Sequence, residues 1–288
     1  TTAPKYLCPA MNTEMYNNPI TQRNLEGLRS LGYHIMDPAE GWLACGITGV
    51  GRLPEPEAIV EWLESKMFST NELEGTTILV TAGGTQENID PVRYIGNRSS
   101  GKMGYAIADQ AARMGAQVIL VSAPTSLPVP SGVDFVSVDS ALSMQEAVEA
   151  RYNDVNVVIM AAAVSDFRAL HKAEQKIKKM ESMTIELVKN PDILQGLGSK
   201  KSHQLLVGFA AETEHVIKYG QDKVARKNLD MLVANDVSKS NAGFNVDTNE
   251  GYFLYPDKEP KKMPNMKKSD LARHILKEVI ELVANKQS

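Results

Sequence analysis

Small polar residues and glycines are concentrated in one long loop, TAGGTQENIDPVRYIGNRSSGKMG, which follows the first β-rich run. Gly83 and Gly84 would let backbone N–H groups approach a phosphate closely. An isolated Gly-Gly pair also occurs in ordinary turns, and the G-x-G-x-x-G spacing of a dinucleotide fingerprint is absent. The loop is therefore a candidate anion site that lacks the standard NAD motif.

The end of this loop, Gly96 to Lys102, matches most of the G-x-x-x-x-G-K phosphate loop. Met103 stands where Ser or Thr must offer a hydroxyl to magnesium, and the segment lies well downstream of its strand, so we reject a P-loop NTPase. Its small donors can still line a polar cleft at the start of the next helix. These candidate ligand-binding residues are Asn97, Ser99, Ser100 and Lys102.

A third β-rich run ends in small residues, Met160-Ala161-Ala162-Ala163, which leave room for a flat ligand. Asp166 follows, where an acidic side chain could bind a ribose or position a metal. The alternative is that Asp166 only caps a turn.

Lysines recur beyond this strand. Lys176 lies in the basic run HKAEQKIKK, which has little hydrophobic periodicity and predicts a mobile loop that could close over a triphosphate. Most lysine runs are solvated surface, which is the competing interpretation. Lys223 and Lys227 are four residues apart and would share one helical face. Pro191 and Asp192 suit the first turn of a helix, and Phe209 could stack on a base or belong to the core.

The elements that must position these residues alternate from Thr76 onward between short β-rich runs and helical runs. Such alternation predicts a doubly wound, mainly parallel Rossmann-like α/β sheet, with ligands beyond the carboxyl ends of its strands. Further strands are predicted at Thr184–Leu187, Gln204–Phe209 and Met231–Ala234. Two apolar runs, 243–246 and 251–255, predict an appended β-hairpin, and a final amphipathic helix is predicted from Lys268 to Asn285.

Composition restricts the function classes. The 288 residues are 43% hydrophobic and 23% charged, and 31 basic against 35 acidic side chains give a net charge of -4, which disfavours nucleic-acid binding. Two cysteines and no Cys/His metal signature favour a reducing cytoplasm. No run approaches the roughly 20 apolar residues of a membrane span. We expect a cytoplasmic protein with no nucleic-acid or membrane partner.

Residues 1–73 are rich in proline and contain few helical runs, which does not indicate a complete domain. The segment also begins without an initiator Met. We therefore expect two parts: residues 1–73 as the end of a domain whose first part is missing, and residues 74–288 as a full domain.

Taken together and in order, the motifs of the second part resemble the bacterial phosphopantothenoylcysteine synthetase (phosphopantothenate–cysteine ligase) of coenzyme A biosynthesis. They are TAGGTQENIDPVRYIGNRSSGKMG, AAAVSDFR, EQKIKK, LVKNPDIL, VGFAAET and ARKNLDMLVAND. The resemblance covers residues 75–288. It implies CTP- and Mg²⁺-dependent activation of 4'-phosphopantothenate to an acyl-cytidylate, from which L-cysteine displaces CMP, and it implies a homodimer.

The resemblance also implies roles for individual residues. Asn97 would stabilise the acyl-cytidylate, Lys176 would act from the mobile loop, and Gly83 and Gly84 would lie at the substrate. The implied CTP contacts are Met160, Ala161, Ala162, Asp166, Lys176, Pro191, Asp192, Ile193, Leu194, Phe209, Lys223 and Lys227.

The first segment resembles the end of the flavin-dependent phosphopantothenoylcysteine decarboxylase, often fused ahead of the synthetase. Pro9-Ala-Met-Asn12 matches its substrate-binding motif, and Leu43-Ala-Cys45-Gly46 matches the flap whose cysteine donates a proton. Alternatively, Asn12 is a turn residue and Cys45 an inert small residue. Because no flavin-binding sheet precedes these motifs, we expect a truncated remnant without decarboxylase activity and without bound FMN.

Two other function classes remain open. A Rossmann-type NAD(P)-dependent oxidoreductase is favoured by the βαβ pattern and disfavoured by the glycine spacing. A nonenzymatic nucleotide-sensing module would bind nucleotide without turnover.

Overall fold

The computed structural model describes residues 3–67, 70–179, 181–212, 214–236 and 248–287. They form two compact units, residues 1–69 and 70–288. No described helix is long and apolar enough to cross a bilayer.

The first unit contains short strands and three helices. A two-stranded parallel sheet joins β1 to β2, and β3 pairs with β4 as an antiparallel hairpin. Proline begins two of the helices, as expected where its missing N–H costs nothing. The elements are β1 (Tyr6–Leu7), α1 (Thr13–Asn17), α2 (Pro19–Ser30), β2 (His34–Ile35), β3 (Ala39–Trp42), β4 (Thr48–Arg52) and α3 (Pro56–Met67).

The second unit is built on an eight-stranded sheet. Its elements are β5 (Thr77–Ala82), β6 (Gln86–Asn88), β7 (Tyr94–Gly96), α4 (Lys102–Arg113), β8 (Gln117–Ser122), β9 (Val133–Ser137), α5 (Ala141–Glu149), a 3₁₀ turn (Tyr152–Asp154), β10 (Val157–Met160), β11 (Phe167–Ala169), β12 (Leu187–Lys189), α6 (Ile193–Ser199), β13 (Leu205–Glu212), α7 (Val216–Arg226), β14 (Met231–Asp236), β15 (Thr248–Leu254), β16 (Lys261–Lys267) and α8 (Lys268–Gln287).

The sheet order is β16-β15-β14-β13-β10-β5-β8-β9. The six strands from β14 to β9 are parallel, and β15 and β16 add an antiparallel edge. The chain starts at β5, winds outward through β8 and β9, and returns to β10 on the other side of β5. This confirms the Rossmann-like fold and places the topological switch point between β5 and β10.

Helices cover both faces of the sheet because the central strands are apolar on both sides. Val157, Val158, Ile159 and Met160 of β10 are all buried. One core cluster packs α4 and α8 against the sheet, and a second cluster packs α5, α6 and α7 against the opposite face. Gly104 in α4 permits close packing, since a Cβ there would lie 2.6 Å from Cβ of Ala82.

Several local predictions differ from the structure. The strand expected at Thr184–Leu187 is displaced to Leu187–Lys189, where it pairs with β11 in a small antiparallel ribbon. In the predicted hairpin, residues 243–246 lie outside the described residues. The run 251–255 falls largely within β15, which pairs with β14 and with β16. The final helix agrees with its prediction to within two residues at either end.

Candidate functional sites

A cavity of about 360 Å³ in the second unit lies where the residues that follow β7 and β10 and the carboxyl-terminal parts of β13 and β14 meet the start of α4. Because neighbouring parallel strands end at the same edge of the sheet, residues distant in sequence meet there. The residues that line the cavity are Asn97, Ser99, Ser100, Gly101, Lys102, Met103, Gly104, Ala161, Ala162, Ala163, Val164, Asp166, Phe209, Ala210, Ala211, Lys223, Asn235 and Lys268.

Most of the charged side chains described at this cavity are basic. Three lysines, Lys102, Lys223 and Lys268, line it together with one carboxylate, Asp166. Lys268, the first residue of α8, is only 8% exposed, so its charge is held largely away from bulk water. A cation in such surroundings interacts more strongly with an anionic ligand than an exposed lysine does. The cavity is therefore suited to a ligand with several negative charges.

The floor of the cavity is built from two crossing loops. The backbone N–H of Ala163 donates to the carbonyl oxygen of Gly83 at 2.8 Å, which ties the loop after β10 to the loop after β5. Gly83 has a φ of 79°, and a Cβ there would lie 2.6 Å from the carbonyl oxygen of Ala123. A side chain would therefore be strained at this position. Gly83 and Gly84 shape the floor from behind, since neither lines the cavity.

Asn97 lies on the exposed side of this floor. Its Nδ2 donates to the carbonyl oxygen of Val164 at 3.1 Å, which orients the carboxamide beside the loop that carries Asp166. Gly84 is needed beneath it, because a Cβ there would lie 2.8 Å from the carbonyl oxygen of Asn97. The side chain is thus oriented before any ligand arrives.

A network of buried polar groups fixes the loop after β10. The hydroxyl of Thr85 accepts from the N–H of Ser165 at 2.9 Å. The Nδ2 of Asn190 donates to the carbonyl oxygen of Ser165 at 2.8 Å, and the backbone N–H of Asn190 donates to the carbonyl oxygen of Asp166. These bonds hold the backbone at Asp166 in place, and the role of its carboxylate stays a prediction.

Asn235, at the end of β14, also lines the cavity. Its Oδ1 is buried and accepts no hydrogen bond within the part of the chain that the structure describes. A buried acceptor without a donor is costly unless a ligand supplies one. Sequence reasoning missed both residues: Asn235 lies in the motif ARKNLDMLVAND but was given no role, and Lys268 begins the last helix, where no motif indicated chemistry.

The structure brings together Asn97, Ser99, Ser100, Lys102, Ala161, Ala162, Asp166, Phe209 and Lys223 of the predicted site residues. Met160, Ile193 and Leu194 have buried side chains that belong to the hydrophobic core. Lys176 is exposed and does not line the cavity.

Lys223 and Lys227 lie one turn apart, since the N–H of Lys227, the C-cap of α7, donates to the carbonyl oxygen of Lys223 at 3.0 Å, but their side chains lie in different surroundings. Lys223 lines the cavity. The Nζ of Lys227 instead pairs with Asp192 at 2.8 Å. Burial alone would raise the pKa of Asp192, but the bonds from Lys227 and from the N–H of Gln195, with the charge of Arg226, hold that pKa below its ordinary value.

A second cavity, of about 380 Å³, lies within the first unit. Asn12 and Cys45 both line it, and Nδ2 of Asn12 donates to Sγ of Cys45 at 3.1 Å. Cys45 is in the turn of the β3–β4 hairpin, where Gly46 has a φ of 83°. The Oδ1 of Asn12 accepts from the N–H of Glu14 and caps α1, so Asn12 both turns the chain and holds the thiol. Trp42, Leu43 and Leu53 contribute an apolar wall.

The first unit thus contains a cavity with a thiol, and the second unit has a Rossmann-like α/β fold with a cavity that contains several lysines. Each unit matches a known family. Residues 73–283 match the family described as DNA/pantothenate metabolism flavoprotein C-terminal domain, and residues 1–68 match the family described as Flavoprotein.

Full-length relatives give the same result. The chain is 46% identical over 285 residues to the coenzyme A biosynthesis bifunctional protein CoaBC of Bacillus subtilis (strain 168), covering 98% of this chain and 70% of the relative. The protein of the same name from Escherichia coli (strain K12) is also 46% identical, over 97% of this chain and 70% of its own. A crystal structure of the C-terminal domain of such a protein superposes with a TM-score of 0.66 at 44% identity, covering 75% of this chain and 100% of that domain. The chain belongs to this family of coenzyme A biosynthesis bifunctional proteins.

This result corrects three expectations. The first segment is not a truncated remnant, because residues 1–68 match the Flavoprotein family and the relatives align over both units. The expected absence of decarboxylase activity was wrong for the same reason. The expectation that FMN is not bound is also unsupported. All three expectations rested on motifs that were not found upstream of Pro9. The segment itself, however, is similar to the Flavoprotein family.

Proposed function

We propose that the second unit catalyses the CTP-dependent ligation of 4'-phosphopantothenate with L-cysteine, through an acyl-cytidylate, to give 4'-phosphopantothenoylcysteine, CMP and pyrophosphate. The observation that carries this proposal is the cavity at the switch point, in which three lysines face one carboxylate. A nucleoside triphosphate and a phosphorylated acid are both polyanions, and a site for both needs excess positive charge.

In the first step, a carboxylate oxygen of 4'-phosphopantothenate attacks the α-phosphorus of CTP, and the bond to pyrophosphate breaks. In the second step, the amine of cysteine attacks the acyl carbon, CMP leaves with the bonding electrons, and the nitrogen loses a proton. Both steps need alignment and charge neutralisation, and neither needs a protein nucleophile. Lys102, Lys223 and Lys268 supply the charge from the cavity wall, and Asn97 is placed to hydrogen-bond the acyl-cytidylate.

Nucleotide contacts divide into side-chain and backbone contacts. Phe209 offers an aromatic surface for a base, and Ala161 and Ala162 leave it space. Met160, Ile193 and Leu194 have side chains in the core, so only their backbone groups are available to a ligand. A separate group of residues beside α6 consists of Pro191, Asp192 and Lys227. We assign this group to the outer part of the nucleotide site.

Magnesium is assigned to the phosphates of the nucleotide. Among the described residues that line the cavity, Asp166 is the one carboxylate, and the described part of the chain contains no cluster of three acidic, histidine or cysteine side chains. Mg²⁺ retains several waters and is commonly held by substrate phosphates with one or two carboxylates, so this donor set fits a nucleotide-borne ion.

For the first unit we propose the decarboxylation of 4'-phosphopantothenoylcysteine, the product of the ligation. Cys45 is the proton donor and Asn12 the substrate-binding residue, since their side chains meet in one cavity. FMN supplies redox chemistry when bound, and the wall of Trp42, Leu43 and Leu53 fits its flat ring. Arg52 is the only charged residue among those that line this cavity. It pairs with Glu55, so we assign no phosphate contact here.

The test of the ligase proposal is pyrophosphate release measured with CTP, ATP, UTP and GTP, each with and without 4'-phosphopantothenate. We expect release only when CTP and the acid are both present, with cysteine needed for continued turnover. Release from CTP without the acid, or no release at all, would contradict the proposal. Oxidation of a reduced nicotinamide cofactor would support the oxidoreductase instead. Sedimentation of the same sample tests the homodimer that the resemblance implies.

A further inference from the structure

The loop that carries Lys176 is tied to a distant turn of the chain. The N–H of Ala173 donates to the carbonyl oxygen of Ile89 at 2.9 Å, and the N–H of Ile177 donates to Oδ2 of Asp90 at 3.1 Å. These two bonds lie on either side of Lys176, whose side chain is exposed. The backbone of the loop is therefore attached to the turn between β6 and β7.

Asp90 is the centre of this attachment. Its Oδ1 accepts from the N–H groups of Val92 and Arg93, at 2.7 and 2.9 Å, and its Oδ2 also accepts from the guanidinium of Arg93 at 3.2 Å. The residue has no solvent exposure. The Oδ1 atom thus binds the turn that contains Asp90. The Oδ2 atom also binds the loop, at Ile177, which lies 87 residues further along the sequence.

The charge state of Asp90 suits this role. Burial alone would raise its pKa, but the N–H groups of Val92, Ile177 and Arg93, with the charge of Arg93, lower the pKa below its ordinary value of 3.8. The carboxylate is ionised at neutral pH and offers only acceptors. An asparagine of the same shape would turn an NH₂ group toward at least one of these donors.

We propose that Asp90 is the positioning residue for Lys176, and that its buried carboxylate fixes the loop from which Lys176 reaches the reacting phosphates. The inference rests on the proposed ligase function, for which the family resemblance implies that Lys176 acts from this loop. Asp90 itself does not line the cavity. Its loss should therefore reduce turnover through Lys176 and leave nucleotide binding nearly unchanged.

The kinetic test is a double-mutant cycle in the full chain, with pyrophosphate release as the readout. We expect Lys176→Ala to lower kcat about 100-fold and Asp90→Asn about 10-fold, with KM for CTP within about twofold of wild type. The double variant should match Lys176→Ala alone, because a positioning residue has nothing left to position. A double variant slowed by the product of the two factors would overturn the proposal.

A second test measures the attachment without any activity. Trypsin cleaves after exposed lysines in flexible backbone, and the loop contains Lys172, Lys176, Lys178 and Lys179. In limited digestion followed by mass spectrometry, Asp90→Asn should speed cleavage in this loop about 10-fold, by the opening of a local structure. Ile177→Pro removes the donor N–H while Asp90 is retained, and it should speed cleavage after Lys178 and Lys179, which keeps the test decisive if Asp90→Asn does not fold.

The matched control is Asp230→Asn. Asp230 also accepts a backbone N–H, from Leu206 at 2.8 Å, and it pairs with Lys201 and Lys286, but it does not contact the loop. Cleavage in the loop should be unchanged in this variant. Equal cleavage in wild type and Asp90→Asn would overturn the attachment. If Asp90→Asn is cleaved faster but keeps the kcat of wild type, the loop is attached by Asp90 but this attachment does not affect turnover. That result would overturn the positioning role of Asp90 and the role proposed for Lys176.

Discussion

The two cavities differ in how the chain builds them. The cavity of the second unit is lined by residues from several strand ends, which come from early and late parts of the sequence of that unit. Its main chemical feature is a group of charged side chains. The cavity of the first unit is formed by one helix cap and one hairpin turn, and its chemistry is a single thiol held by a carboxamide. We therefore expect a substitution in one site to leave the activity of the other site unchanged. The site of the second unit depends on many weak electrostatic contributions, and the site of the first unit depends on one sulfur atom.

The largest effect is expected from Asn97→Asp in the second unit. The variant replaces a neutral donor with a negative charge beside an intermediate that is itself anionic, so ligation should fall by about 100- to 1000-fold. Pyrophosphate release in steady state measures this, with the melting temperature as a check on folding. Asn24→Asp adds the same charge on an exposed face of α2 and should leave ligation unchanged. Full activity of Asn97→Asp would remove Asn97 from the site.

The complementary change is Cys45→Ala in the first unit. Removal of the proposed proton donor should slow formation of the fully protonated, decarboxylated product of 4'-phosphopantothenoylcysteine about 100-fold, because the cysteine donates its proton after CO₂ has left. Ligation by the same preparation should stay within about twofold, because the thiol contributes nothing to the charged cavity. Cys8→Ala provides the control, since Cys8 is the other free cysteine and does not line the cavity. A loss of both activities in Cys45→Ala would break the separation of the two sites.

Sequence reasoning predicted the parts of the fold that follow a local pattern. Alternating apolar runs predicted β5, β8, β10, β13 and β14, and hence the parallel sheet whose strand ends hold Asn97 and Asp166. It did not predict β11 and placed β12 too early in the chain; these three-residue strands are held by pairing with each other and by Arg168, which is bonded to Lys189 and Asn190. Such short elements depend on tertiary hydrogen bonds that no periodicity reveals.

The candidate site was predicted where a motif followed a strand, and missed where residues were brought in by tertiary packing. Lys268 is buried in the cavity because α8 packs against α4, a contact that its own neighbourhood in sequence does not indicate. The spacing alone predicted that Lys227 binds the nucleotide together with Lys223. In the structure α7 ends at Arg226, and the ammonium group of Lys227 forms an ion pair with Asp192. For the first unit, the motifs indicated two residues that the structure brings together in one cavity, and the error lay in treating missing upstream motifs as missing function.

The smallest effect concerns this lysine pair, and it tests the central claim that the cavity at the switch point is the nucleotide site. CTP binding should be titrated by calorimetry to Lys223→Gln and Lys227→Gln, which remove the same charge four residues apart. We expect Lys223→Gln to weaken binding about 10-fold, because its ammonium lines the cavity, and Lys227→Gln to weaken it by no more than about threefold. Equal affinity of wild type and Lys223→Gln for CTP would contradict the account.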